Sequence, residues 1–276
     1  MSSFDFDQAE GLRRLLAGPT PRIVTMVSAA TPADKCAVLT NLGASLAAAG
    51  STVLLLDACV APRGVAAQLG LGPGATLQDV ARQQRALNEV AQMTAQGYGV
   101  VSLTRGPLRR AAQDTDSLRR CANAFGVLAT QTDILLVDAE LDADDMLPLA
   151  AMGQGEIVVQ VTPDAAAIQA AYGIIKRLNA QLGRRPFSVL VSGAGEHEAA
   201  LVFDNMAQAA SRYLALDLRS VGSVPRDEHV PRAARLGRSV TEAFPLAGAS
   251  VAFRRLAQRF SLASAVGAGV GLCSGV

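Results

Sequence analysis

Lys35 stands between Asp34 and Cys36 in a short loop, and Asp57 and Asp138 each close an apolar run further along the chain. The loop follows a strand-like stretch, Arg22–Val27, and leads into Cys36–Ala49, where Val38, Leu42 and Leu46 recur at helical spacing before Gly50. A second apolar run, Thr52–Leu56, ends in Asp57, and Ile134–Val137 ends in Asp138. A lysine in a tight turn between strand and helix, with carboxylates at strand tips, is the frame of a phosphate-binding loop. In such a site main-chain amides cradle the phosphates, the ammonium supplies a point charge and the carboxylates steer Mg²⁺.

The loop inside the frame departs from that chemistry. Ala29-Ala30-Thr31-Pro32-Ala33-Asp34-Lys35-Cys36 contains no glycine to turn successive amides toward an anion. Pro32 has no N–H to give. Asp34 sets a carboxylate where phosphate would lie, a repulsion of about 1–4 kcal/mol at contact. Cys36 offers a soft thiol where a hard metal ion needs an oxygen. A combined loss of roughly 4 kcal/mol takes a micromolar site to millimolar. Lys35, Asp57 and Asp138 are therefore the candidate nucleotide-site remnants, read either as a residual phosphate and Mg²⁺ site or as an internal cluster in which Lys35 neutralises Asp57, Asp138 or Asp34. No metal and no cofactor is expected, with ATP and Mg²⁺ as the ligands if the site still works.

Seven β-type runs position these residues: Ile23–Val27, Val53–Leu56, Gly99–Leu103, Ile134–Val137, Ile157–Val161, Val189–Val191 and Ser220–Val224. Most are continuously apolar, as strands covered on both faces are. Helical patterns over Thr115–Thr130, Asp164–Ala180, Glu196–Leu214 and Ser250–Phe260 lie between them. This alternation predicts a single α/β domain with a doubly wound, mainly parallel sheet, whose ligand site lies at the carboxyl ends of the strands. Gln83–Gln96 reads as helical surface, and the acidic run Glu140, Asp142, Asp144, Asp145 as a solvated helix start. The expected divisions are 1–20, an N-terminal helix and linker; 21–261, the domain; and 262–276, a flexible Gly-rich tail.

Composition narrows the classes. The chain has 276 residues, 50% hydrophobic, and a net charge of +1, which gives no reason to expect nucleic acid. No apolar run is long enough to span a bilayer and the acidic start is no secretory signal. Cys36, Cys59, Cys121 and Cys273 have no metal-ligand spacing, and His197 and His229 are isolated.

The frame, with Asn41-Leu42, Leu55-Leu56-Asp57 and Leu135-Leu136-Val137-Asp138, resembles the MinD/ParA class of P-loop ATPases. At the N-terminus, Asp7-Gln8-Ala9-Glu10-Gly11-Leu12-Arg13-Arg14 is similar to the motif of the FlhG (FleN, YlxH) flagellar-number regulators. The likeness continues through Thr162-Pro163-Asp164, Ala171-Tyr172, Ile175-Lys176, Val224-Pro225-Arg226-Asp227 and Phe244-Pro245 to Ala252-Phe253-Arg254-Arg255-Leu256-Ala257. That family's loop reads Gly-Lys-Gly-Gly-Val-Gly-Lys-Thr. Against it, Ala30 replaces the lysine that reaches across the dimer, Cys59 the acidic residue that positions the attacking water, and Ser192 the asparagine at adenine.

The resemblance implies that the N-terminal motif stimulates the GTPase FlhF, with Gln8 orienting the attacking water in trans and Asp7, Ala9, Leu12 and Arg13 forming the docking surface. Asp7 can cap a short helix with Ala9, Leu12 and Leu16 on one stripe. That helix either folds on a partner or packs on its own domain. At the other end Phe253, Leu256 and Phe260, flanked by Arg254, Arg255 and Arg259, fit a membrane-contacting amphipathic helix as well as a core helix. Two functions follow: a non-hydrolysing FlhG-like regulator that binds FlhF and flagellar switch or regulatory components, or a slow ATPase cycling on and off the membrane. A structural partner of another polar machine, such as cellulose secretion, is a third. The expected location is the cytoplasm, with peripheral attachment at the inner membrane or cell pole left open.

Overall fold

The computed structural model describes residues 21–59, 64–106 and 115–269. In chain order the strands are β1 (Arg22–Ser28), β2 (Val53–Asp57), β3 (Gln92–Met93), β4 (Gly99–Ser102), β5 (Ile134–Asp138), β6 (Glu156–Val161), β7 (Phe187–Ser192) and β8 (Leu218–Val224). The helices are α1 (Pro32–Ala48), α2 (Val65–Gln68), α3 (Leu77–Ala81), α4 (Thr115–Thr130), α5 (Ala165–Leu182), α6 (Glu196–Leu214), α7 (His229–Arg235), α8 (Val240–Ala243) and α9 (Gly248–Gly269). All strands join one sheet in the order β3-β4-β2-β5-β1-β6-β7-β8. Every pairing is parallel except the β3–β4 edge.

The continuous apolar strands are explained by a core on each face of the sheet. Leu55 and Leu136 face one core with Val38 and Leu42 of α1 and Phe253 and Leu256 of α9. Their neighbours Leu56, Leu135 and Val137 face the other, with Phe125 of α4, Ile175 of α5 and Met206 of α6. The period of two survives, but both phases are apolar because both faces are covered.

Four sequence expectations are corrected. First, α1 begins at Pro32 rather than at Cys36, because Thr31 caps it by accepting the Asp34 N–H, Pro32 opens the first turn and Asp34 adds a carboxylate there. Second, Gln83–Gln96 is not helical: Leu87–Glu89 makes one 3₁₀ turn, and Gln92–Met93 pairs with β4 across the Thr94–Tyr98 turn. Third, the acidic run does not start a helix. Asp142 closes a turn by accepting the N–H groups of Asp144 and Met146, which diverts those amides from a helical ladder. Fourth, α9 continues to Gly269, past the boundary at 261, through a stretch whose Ala263, Ala265 and Ala268 favour helix. Residues 270–276, like 1–20, lie outside the described residues.

Phe253, Leu256 and Phe260 are 1%, 3% and 1% exposed, packed with α1 and the sheet. Their stripe is core, so these side chains are not free to enter a membrane as the amphipathic pattern allowed. Phe253→Ala is expected to lower stability by about 3–5 kcal/mol in urea unfolding. A membrane-facing residue would instead weaken vesicle sedimentation and leave the unfolding midpoint in place.

Candidate functional site

The parallel register brings the remnants together. Asp57 lies beside Asp138 in the β2–β5 pairing, and Met26 of β1 is Asp138's partner on the other side. α1 leaves β1 at this edge and swings Lys35 back over the strand tips. Lys35 is 3% exposed; its Nζ lies 2.6 Å from Asp138 Oδ1, 3.7 Å from Glu140 Oε1 and 3.2 Å from Cys59 Sγ. The Cys59 thiol donates to Asp138 Oδ1 at 3.2 Å.

The carboxylates are held by main-chain amides as well. Asp57 accepts from Cys59 N at 3.0 Å and Ala66 N at 2.8 Å, and Asp138 accepts from Val65 N at 3.0 Å. α2 therefore starts on top of both acids. Gly64 makes this approach feasible, since a Cβ there would lie 2.1 Å from an Asp57 oxygen.

The loop's own amides are similarly engaged. Ala29 N donates to Gln160 O, Ala30 N to Ser28 Oγ, Asp34 N to Thr31 Oγ1 and Lys35 N to Thr31 O. Behind them, Ser28 donates to the buried Gln160 side chain, whose amide donates to Ser192 at 2.9 Å. The loop has become a capped helical turn in place of an anion nest.

Burial pulls the Lys35 pKa down, but the Asp138 charge, Cys59 and the hydrogen bonds to both together more than offset this, so the ammonium persists. Burial pushes the Asp57 carboxyl up to about 6, Asp138 adding to the shift against the Ala66 and Cys59 amides. Burial, reinforced by Asp138, holds Cys59 as a thiol. Burial likewise lifts Cys36 to about 11. Among the described residues Asp57, Cys59 and Asp138 have ligand atoms within 4.8 Å of one another, a spacing that could hold a metal ion. The Lys35 ammonium already serves as the cation of that cluster. In this arrangement the Ala29, Ala30, Asp34 and Lys35 amides of the loop and the Asp57 and Asp138 carboxylates, groups that Mg²⁺ and a triphosphate would use, are bonded within the chain.

Of the three aspartates open to Lys35 from sequence, the structure selects Asp138, with Glu140 added. Glu140 was missed as a partner, although its position two residues beyond Asp138 puts it on the same side of an extended chain. The Val65 and Ala66 amides were missed too, and only Gly64 ahead of a short apolar helix hinted at them. Asn41 joins elements, accepting from Val240 N at 2.7 Å. His229 is not isolated: it pairs with Asp227 at 2.7 Å, and Asp227 also accepts from Ala249 N at the start of α9. Asp7, Gln8, Ala9, Leu12 and Arg13 lie outside the described residues.

Lys35→Met is expected to lower stability by about 3–5 kcal/mol, because Asp138 is left buried and unpaired. Adding Asp138→Asn should restore most of that loss. Equal urea midpoints for Lys35→Met and the parent would refute the role of the pair. Asp57 binds its proton more tightly folded than unfolded, so its contribution is greatest in acid and is lost as pH rises through about 6. Asp57→Asn should therefore flatten the fall in stability between about pH 4 and pH 6, followed by urea unfolding at each pH.

No family model matches the chain. It is 31% identical over 226 residues to the antiactivator FleN of Pseudomonas aeruginosa, covering 82% of this chain and 81% of that one. Its fold matches Aquifex aeolicus MinD, solved with MinC, at a TM-score of 0.64 with 19% identity, over 92% of this chain and 98% of that one. It also matches Pyrococcus horikoshii MinD, solved with Mg-ADP, at 0.62 with 18% identity, over 90% and 99%. A shared identity of this extent across four-fifths of both proteins, on a MinD-type sheet, places the chain in the FleN (FlhG) family of MinD/ParA-like P-loop proteins.

Proposed function

We propose that this chain is a FlhG-type regulator of flagellar number or placement that works without a nucleotide cycle. The observation that carries the reading is the Lys35 ammonium seated on Asp138, with the Val65 and Ala66 amides on the paired carboxylates. A triphosphate would have to break the loop cap, the ion pair and the α2 contacts together. The protein's output then resides in surfaces that need no nucleotide. The N-terminal motif supplies one: Asp7, Ala9, Leu12 and Arg13 dock on FlhF, and Gln8 orients the water that attacks its GTP. The folded domain supplies another, and the FleN relative's designation as an antiactivator supports a regulatory protein as its partner. No described helix is long and apolar enough to cross a membrane; we place the protein in the cytoplasm, acting at the inner membrane or pole through its partners.

The other reading is a slow MinD/ParA-type ATPase that cycles on and off the membrane, and it has the survival of Lys35, Asp57 and Asp138 at the strand tips in its favour. It requires Lys35 to leave Asp138 and α2 to lift from both acids.

Titration calorimetry with Mg-ATP separates the two, with an expected Kd weaker than about 1 mM. Micromolar binding would establish the nucleotide-driven reading. The purified chain is expected to raise GTP turnover by FlhF, and Gln8→Ala to abolish the increase. Stimulation that survives Gln8→Ala would remove the assigned role.

A further inference from the structure

A groove of about 620 Å³ runs along the free edge of the sheet between β8 and α9. Its floor is apolar, from Val221, Val251 and Leu256, and Arg255 and Arg259 stand on its rim. Among the described residues β8 pairs with β7 alone, so its outer edge offers amides and carbonyls without a strand partner beside the groove. Arg255 is shared with the exposed Glu196 at 2.5 Å, while Arg259 makes no ion pair among the described residues. An extended segment with apolar side chains and excess negative charge fits this surface.

We infer that the groove receives the chain's own Phe4-Asp5-Phe6-Asp7. In an extended backbone the two rings turn one way and the two carboxylates the other, which suits an apolar floor beneath a basic rim. Residues 4–10 carry three acids and no cation, against a rim that is net positive. The path is short: the described chain begins at Pro21, and the Arg22 guanidinium donates to the Arg259 carbonyl at 3.4 Å, at the groove's end. Residues 8–21 reach about 45 Å when extended, far more than is needed. Docking of Phe4–Asp7 holds the adjoining Gln8 against the domain and so withholds it from FlhF. That consequence rests on the FlhF reading above; the docking itself does not.

The test replaces Phe6 with photoreactive p-benzoylphenylalanine in the full chain and maps the adducts by mass spectrometry. Adducts within one chain to residues 221–225 or 251–259, lost in Arg255→Glu/Arg259→Glu, are expected. Adducts between two chains, adducts elsewhere, or no adduct would overturn the docking. Arg255 and Arg259 are exposed, so the double variant should keep the parent melting temperature. It should also reach half-maximal FlhF stimulation at about two- to five-fold lower concentration, as the competent fraction rises. If the adducts form but FlhF is never stimulated, the docking stands and the FlhF reading fails.

Discussion

The buried pair of Lys35 and Asp138 fixes the carboxyl edge of the sheet. Taking two such ions out of water costs several kcal/mol each, and attraction recovers this only with close geometry and further partners. Both conditions hold: the ions are 2.6 Å apart, with Cys59, Glu140 and the Val65 amide completing the shell. The pair is therefore a constraint more than a net source of stability, because separating it strands a charge. α1 cannot shift along β1, nor α2 lift, without disturbing that shell.

The register explains why such a constraint is needed. Asp57 and Asp138 are direct neighbours on β2 and β5, so the sheet itself forces two acids together. Like charges at that spacing oppose each other. In this chain an ammonium and three amides relieve the repulsion; the Asp57 carboxyl is nonetheless pushed up, by its burial first and by the Asp138 charge second. Losing the loop glycines completes the arrangement. Without residues suited to φ > 0, the segment after β1 takes the next available way to satisfy its amides, a helix capped by Thr31 and opened by Pro32.

Where a signal was local, the sequence displayed it. The strand runs and α4 and α6 were readable because burial on both faces or a helical stripe shapes each segment's own composition. Lys35, Asp57 and Asp138 were readable because strand tips carry them. The start of α1 was obscured because Thr31 and Pro32 were weighed as lost loop residues, although the same residues are a helix cap. The Gln83–Gln96 segment misled through its alanine and glutamine content, where Gln83 at φ 60° and the Gly97 turn decide the path. The amides of Val65 and Ala66 were hidden because main-chain donors at the start of a short helix leave no trace in their own residue types, only in the Gly64 before them.

An amphipathic stripe cannot distinguish a membrane from a neighbouring helix, and α9 shows why the difference matters for function. Its phenylalanines sit against α1, the helix that carries Lys35. Detaching α9 would expose three large side chains at roughly 1.5–3 kcal/mol apiece, and would loosen the helix that sets the ion pair. A switch that frees this helix would thus have to dismantle the core and the site together. Control by the less deeply packed parts of the chain requires no such disruption. The exposed rim of α9, carrying Arg255 and Arg259, can change partners while the face beneath it remains in place.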